Sequence, residues 1–284
     1  MRRWPKLHRN HGSFYQAVSS LSELSRFFDQ NTGSAPSGTN SEGYIDGRCY
    51  VCDEDKVFRI DGHTDGSGIN LRESVVCPDC GLTNRWRSSM HIFEQQVLPR
   101  KDDLIYITEA ITPLYQSLVS RYPDTIGSEY FAGESPGSMV DSVVGPVRHE
   151  DVTDLSFADR SLHAVLSFDV LEHVPDYRAA LREFYRVLAS GGQLILSAPF
   201  LFADKTRIMA RVDGSGEIEH LVEPVYHGDP LSDKGVLCFQ EFGMDLLDDM
   251  REAGFQESFL LAFESPEWAY FGPQVMFIGR KNPE

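Results

Sequence analysis

The stretch Leu162–Phe200, LHAVLSFDVLEHVPDYRAALREFYRVLASGGQLILSAPF, decides the fold. Leu162–Phe168 is a short, mostly apolar run bounded by polar residues, the pattern of a buried strand. The polar segment Asp169–Pro175 follows. Tyr177, Leu181, Phe184, Tyr185 and Leu188 then recur three and four apart, which marks one face of a helix. Asp176 can cap its start, and Gly191-Gly192 reads as its stop, because glycine enters the left-handed conformation at little cost. Gln193–Pro199 is a second buried strand. Strand, helix and strand at this length form one parallel crossover unit. Ligands of such sheets sit beyond the carboxyl ends of the strands. That places Ser167–His173 and Ser197–Phe200 on one rim.

Outward from this unit, the chain has 284 residues, enough for one full α/β domain and a smaller module. The formal net charge is -17, from 43 acidic and 26 basic residues. A field of that sign repels phosphate backbones and disfavours nucleic acid as a partner. No apolar run approaches the roughly 20 residues that span a bilayer. The basic terminus MRRWPKLHRNHGS carries no apolar signal core, so the expectation is a cytoplasmic protein. Oligomeric state is not written in the sequence.

In chain order, Ser13–Gln30 shows helical spacing through Phe14, Val18, Leu21, Leu24 and Phe28, and reads as an appended helix. Asn31–Gly43 is a polar linker. Two CxxC pairs follow, Cys49/Cys52 and Cys77/Cys80, separated by KVFRI and the glycine-rich DGHTDGSGIN. Tetrahedral zinc takes four thiolates, and each two-residue gap lets one turn offer two sulfurs. The set reads as a structural zinc site, with a redox pair or two disulfides as alternatives. Cys238 stands alone and reads as buried. Helical spacing of Trp86, Met90, Phe93 and Val97 marks one further helix, beside Arg85 and Arg87, which could hold an anion but more commonly are solvated or salt-bridged.

The order and spacing of SFDVLEHVPDY, RVLASGG and QLILSAPF resemble the second half of a class I S-adenosylmethionine (SAM) dependent methyltransferase, most closely the small-molecule group called type 11. The likeness extends less sharply over Leu104–Lys281, and Cys77–Gly81 looks like a zinc-ribbon knuckle. The resemblance implies an α/β fold: a Rossmann-like seven-stranded methyltransferase sheet with helices on both faces, plus a small N-terminal zinc-ribbon-like module. The expected organisation is a helix and linker over 1–43, the four-cysteine module over 44–98, and the methyltransferase domain over 99–284. It also implies SAM as cofactor, structural Zn2+, and methyl transfer to oxygen or nitrogen of a small-molecule acceptor.

By the same resemblance, Glu109 faces the cofactor's amino group from a turn that also holds Ala110 and Thr112. The family's glycines are missing from this turn. Glu129 accepts the ribose hydroxyls, Asp151 takes the adenine amino group with Val152 beside the ring, and Ser167, Phe168 and Asp169 line the cofactor. Leu201–Phe239 is a long insertion with many titratable groups, expected as a substrate lid. An oxygen nucleophile needs a base, for which His173, His220 and His227 are the candidates. A metal site from His220, His227 and Asp229 is conceivable but not favoured, because their spacing does not fix one face; ordinary loop polarity is the alternative. Two rivals stay open. One is a methyltransferase-like scaffold without turnover, motivated by the glycine-free turn. The other is a nicotinamide or nucleotide-sugar enzyme, disfavoured because no GxGxxG follows an expected strand.

Overall fold

The structure is a computed structural model that describes residues 14–31, 43–62, 69–142, 144–229 and 232–283. The basic terminus through Ser13, most of the linker Asn31–Gly43 and the centre of DGHTDGSGIN lie outside these residues. The described residues divide into two compact units. One comprises those of Met1–Val18, Ser22–Leu98 and Leu261–Val275; the other, those of Ser19–Leu21, Pro99–Leu260 and Met276–Glu284. Leu261–Val275 therefore clusters with the cysteine-bearing unit.

The first unit opens on β1 (Tyr15–Val18), followed by α1 (Leu21–Asn31). The single helix expected over Ser13–Gln30 is thus corrected. Ser19-Ser20 breaks it, and only the second half keeps the helical face, burying Leu24, Phe27 and Phe28. Three strands, β2 (Tyr44–Cys49), β3 (Glu54–Ile60) and β4 (Val75–Val76), form an antiparallel sheet. Then α2 runs over Asn84–Val97, where Thr83 caps the start and Leu98 ends it in the left-handed conformation. The core of this unit gathers Ile45, Cys49, Phe58, Val75, Cys77, Ala269 and Phe271.

Arg85 and Arg87 are not anion ligands. Arg85 pairs with Glu73 at 2.8 Å. Arg87 is fully buried over the Phe58 ring and donates to the carbonyls of Trp268 (2.8 Å) and Ala269 (3.1 Å). A guanidinium can serve two such carbonyls at once because its donors form a rigid fork. Gly47 lets the same turn approach β2: a Cβ there would stand 2.9 Å from that of Ala269.

In the second unit, β5 (Ile105–Ile107) leads to α3 (Pro113–Arg121) and β6 (Ile126–Gly127). The crossover unit becomes β7 (Leu162–Phe168), α4 (Tyr177–Val187) and β8 (Leu188–Ser197). Asp176 accepts from the Ala179 N–H and caps α4. Gly191-Gly192 does not stop the helix, which ends at Val187 with Leu188 already extended. The glycines sit instead at an irregularity of β8, where a Cβ on Gly192 would meet the Ala189 and His163 carbonyls at 2.9 and 3.2 Å. Beyond α5 (Leu246–Glu252), which buries Leu246, Leu247 and Met250, come the strands β9 (Glu257–Ser265) and β10 (Tyr270–Arg280), whose stretch Leu261–Val275 belongs to the first unit.

These strands form a seven-stranded mixed sheet in the order β1-β9-β10-β8-β7-β5-β6. The pairs β8·β7, β7·β5 and β5·β6 are parallel, and β10 lies antiparallel to β8. Ahead of Asp151, His149 forms a parallel bridge with Glu129. Within Leu201–Phe239, two small hairpins pair Ala210–Val212 with Ile218–His220 and Tyr226–Asp229 with Ser232–Leu237. No helix among the described residues is long and apolar enough to cross a membrane.

Candidate functional site

Parallel pairing sets the carboxyl ends of four neighbouring strands side by side: Ile107 opposite Gly127, Ile107 opposite Leu166, and Ser197 opposite Phe168. Glu109, Glu129 and Asp169 each follow one of these ends, and Asp151 follows the bridge at His149. The acidic residues expected to hold a cofactor thus come from separate elements of one rim.

The first turn is organised by Glu129. Its Oε1 accepts from the backbone N–H groups of Ala110 (2.8 Å) and Ile111 (3.3 Å). Thr112 Oγ1 accepts from Tyr115 N–H at 3.2 Å and Pro113 takes the first helical position, so α3 starts directly behind the turn. The turn has no glycine of its own. The close approach is made from the other side, by Gly127 of β6. A Cβ there would stand 2.5 Å from the Glu109 carbonyl and 2.6 Å from the Tyr115 ring. Reading the turn alone could not find this residue, because the strain falls on a strand 18 positions later in sequence.

The third and fourth rim positions are held by short-range bonds. Asp151 Oδ1 accepts from the N–H and hydroxyl of Thr153, at 2.8 and 2.7 Å. Val152 is partly exposed beside it. Ser167 is fully buried and lies 3.3 Å from Thr108 Oγ1; Phe168 is buried too. Asp169 adopts a left-handed backbone, φ 54°, uncommon for a residue with a side chain. Ser197 of β8 holds it, accepting from the Asp169 N–H at 2.8 Å and donating its hydroxyl to Asp169 Oδ1 at 2.9 Å. Ser197 is a rim residue that sequence reasoning placed by position and gave no role.

The histidines divide. His220 sits at the exposed end of a hairpin strand. His173 and His227 come together, with ring centroids 5.2 Å apart, beside Cys238 and the fully buried Glu172. The expected metal set of His220, His227 and Asp229 is corrected accordingly: His220 belongs to another hairpin, and the Asp229 side chain lies outside the described set. Cys238 is buried as expected but is not isolated; its sulfur lies 3.9 Å from His173 Nδ1. Cys238 and then Glu172 push the His227 imidazole up to about 10. Sequence reasoning missed Glu172 and Cys238 because the insertion puts 65 positions between Cys238 and His173.

In the other unit, the sulfurs of Cys49, Cys52, Cys77 and Cys80 lie within 4.8 Å of one another. Two of the separations, Cys49 to Cys80 and Cys52 to Cys77, are 3.8 Å. A disulfide needs about 2.05 Å, so these are not bonded pairs. Bonds of about 2.3 Å from a central ion to tetrahedral sulfurs give edges of about 3.8 Å. Burial, then the neighbouring sulfurs, push the Cys52 thiol up to about 12.

Residues 129–196 match the family model for a methyltransferase domain. The matched segment runs from Glu129 into β8. It includes Asp151, Ser167, Phe168, Asp169 and His173, and leaves out the first turn and the insertion. Among solved structures, the chain is similar to a SAM-dependent methyltransferase of Thermotoga maritima, at 19% identity over 70% of this chain and 91% of that one, with a TM-score of 0.40. A SAM-dependent methyltransferase of Mesorhizobium loti is 14% identical over 71% and 99%, TM-score 0.43. The 1,6-didemethyltoxoflavin-N1-methyltransferase of Burkholderia thailandensis, solved with bound 1,6-didemethyltoxoflavin and S-adenosylhomocysteine, is 15% identical over 69% and 78%, TM-score 0.38.

Proposed function

We propose that the chain is a SAM-dependent methyltransferase that acts on a small-molecule acceptor, with a structural zinc ion on its four-cysteine cluster. The observation that carries the first part is the rim, within and beside the methyltransferase-domain segment, where four acidic side chains follow four parallel or bridged elements. Bound SAM supplies an already activated methyl group. The chain's own residues then have to bind, orient and exclude water. Glu129 holds the ribose hydroxyls in this reading. A carboxylate has about four acceptor sites, and the Ala110 and Ile111 N–H groups engage one of its oxygens while fixing its direction. Asp151, oriented by Thr153, meets the adenine amino group beside Val152. Glu109 faces the amino group of the methionine part. Asp169, locked by Ser197, sets the backbone at the centre of the rim.

Approximation supplies most of the rate, as for any reaction whose bond-forming atoms are already reactive. No base is assigned to His173 or His227, which are committed to the cluster with Glu172 and Cys238. The scaffold reading differs only in turnover.

Calorimetric titration of SAM into the wild type and Glu129→Gln tests the cofactor site. The variant keeps the shape and loses the charged acceptor, worth about 1.5–3 kcal/mol, so its affinity should fall about tenfold to a hundredfold. Absence of SAM binding to the wild type at millimolar ligand contradicts the proposal. For zinc, the 3.8 Å sulfur edges are the support, and zinc held by four thiolates has no open position for catalysis.

A further inference from the structure

We propose that His173, His227 and Cys238, with the buried carboxylate of Glu172, form a second metal site, for zinc or another borderline first-row divalent cation. One ligand atom from each of the first three lies within 4.8 Å of the other two. Glu172 is fully buried, and among the described residues neither of its oxygens has a hydrogen-bond partner. Its Oε1 lies 3.5 Å from His227 Nδ1 and 3.7 Å from His173 Nε2. These separations are too long for N–H···O hydrogen bonds, which cluster at about 2.7–3.2 Å. They match instead the edges of a coordination tetrahedron, about 3.3–3.8 Å for bonds of about 2.0–2.3 Å.

The donor set suits the ion. Two imidazoles, one thiolate and one carboxylate are the ligand types of tetrahedral zinc. His173 is preset for the task. Its Nδ1 lies 2.9 Å from the Leu237 carbonyl, so Nδ1–H donates there and Nε2 faces Glu172. A metal-bound histidine generally donates its other ring N–H to such a partner. Without a cation, a fully buried carboxylate sits among groups that do not hydrogen-bond it, a costly arrangement. A cation held by His173, His227 and Cys238 beside this carboxylate removes that cost.

The site would also join two parts of the chain. Glu172 and His173 belong to the loop after β7, beside the cofactor rim; His227 and Cys238 belong to the insertion. The insertion is already tied to that loop: Phe239 N–H donates to the Glu172 carbonyl at 2.7 Å, and the Gln240 side chain donates to the Leu171 and Val174 carbonyls. The ion would fix the base of the insertion at the rim without touching the methyl donor.

The test is metal content per chain of the full-length protein, purified with zinc and dialysed, for the wild type, Cys238→Ser, His227→Ala and the control His220→Ala. The first two variants should each hold one zinc equivalent less than the wild type, and the control should match it. Equal content in the wild type and Cys238→Ser overturns the proposal. Because a variant can fail to fold, cobalt(II) titration of the wild type supplies the second reading. Two equivalents should be taken up, with distinct tetrahedral visible bands for the four-sulfur and the two-nitrogen, one-sulfur environments. Uptake that ends after the four-sulfur spectrum also overturns it. Neither reading depends on methyl transfer.

Discussion

Gly127 carries the close approach that the first turn lacks. Adding a single methyl group at Gly127 would drive it into the Glu109 carbonyl and the Tyr115 ring. Overpacking of this kind costs about 1–3 kcal/mol. Gly127→Ala should therefore lower the free energy of unfolding in urea by that amount and weaken SAM binding, because the turn that carries Glu109 must move. His91 offers a second test at this scale. It is buried among aromatic rings, stacked on Tyr50 at 3.7 Å, and burial lowers its imidazole to about 3. In the unfolded chain the imidazole takes a proton near 6.5. The unfolded state thus binds more protons between these values. The stability this histidine contributes is complete above about 6.5 and falls as the pH drops toward 3, by up to about 1.4 kcal/mol per pH unit. His91→Phe removes the titration, so its stability should depend less steeply on pH in that window. Equal slopes for the two proteins would contradict the assignment.

At the scale of elements, the crossover unit Leu162–Ser197 was legible because β7 and β8 are buried on both faces and α4 has a strict apolar stripe. The position of its glycines was not, since a bulge in a strand and a helix stop use the same residue for different reasons. The stretch Ser13–Gln30 misled for a similar cause: four residues of strand before Ser19-Ser20 preserve helical spacing by coincidence. The two CxxC pairs were legible through their spacing alone, and the structure brings the four sulfurs together on the β2–β3 turn and the segment after β4. Cys49 and Cys77 also belong to the apolar core of that unit. Losing one sulfur therefore costs both metal and packing. Cys80→Ser should release one zinc equivalent and destabilise the protein by about 4 kcal/mol or more, within the range where a lost metal site acts. Thermal unfolding beside metal analysis checks it; an unchanged zinc content would exclude the cluster as a ligand set.

Over the whole molecule, what the sequence disclosed follows from locality. Elements whose pattern is complete within about 40 residues could be read, and so could the rim residues that follow a strand end. Groups assembled from distant parts could not. Glu172 and Cys238 meet only after the insertion folds back, and Arg87 finds its carbonyls on a turn 181 positions away. The acidic excess, -17, is a property of the same scale and bears on solubility and partners, not on fold. The central claim is that the rim binds SAM. Thermal unfolding of the zinc-loaded protein with SAM, with S-adenosylhomocysteine and with NADH tests it most directly. Ligand at about 100 times its dissociation constant adds about 2.7 kcal/mol. The account predicts a clear rise in the midpoint with the two sulfur ligands and none with NADH. No shift with SAM at millimolar concentration, or an equal shift with NADH, would contradict it.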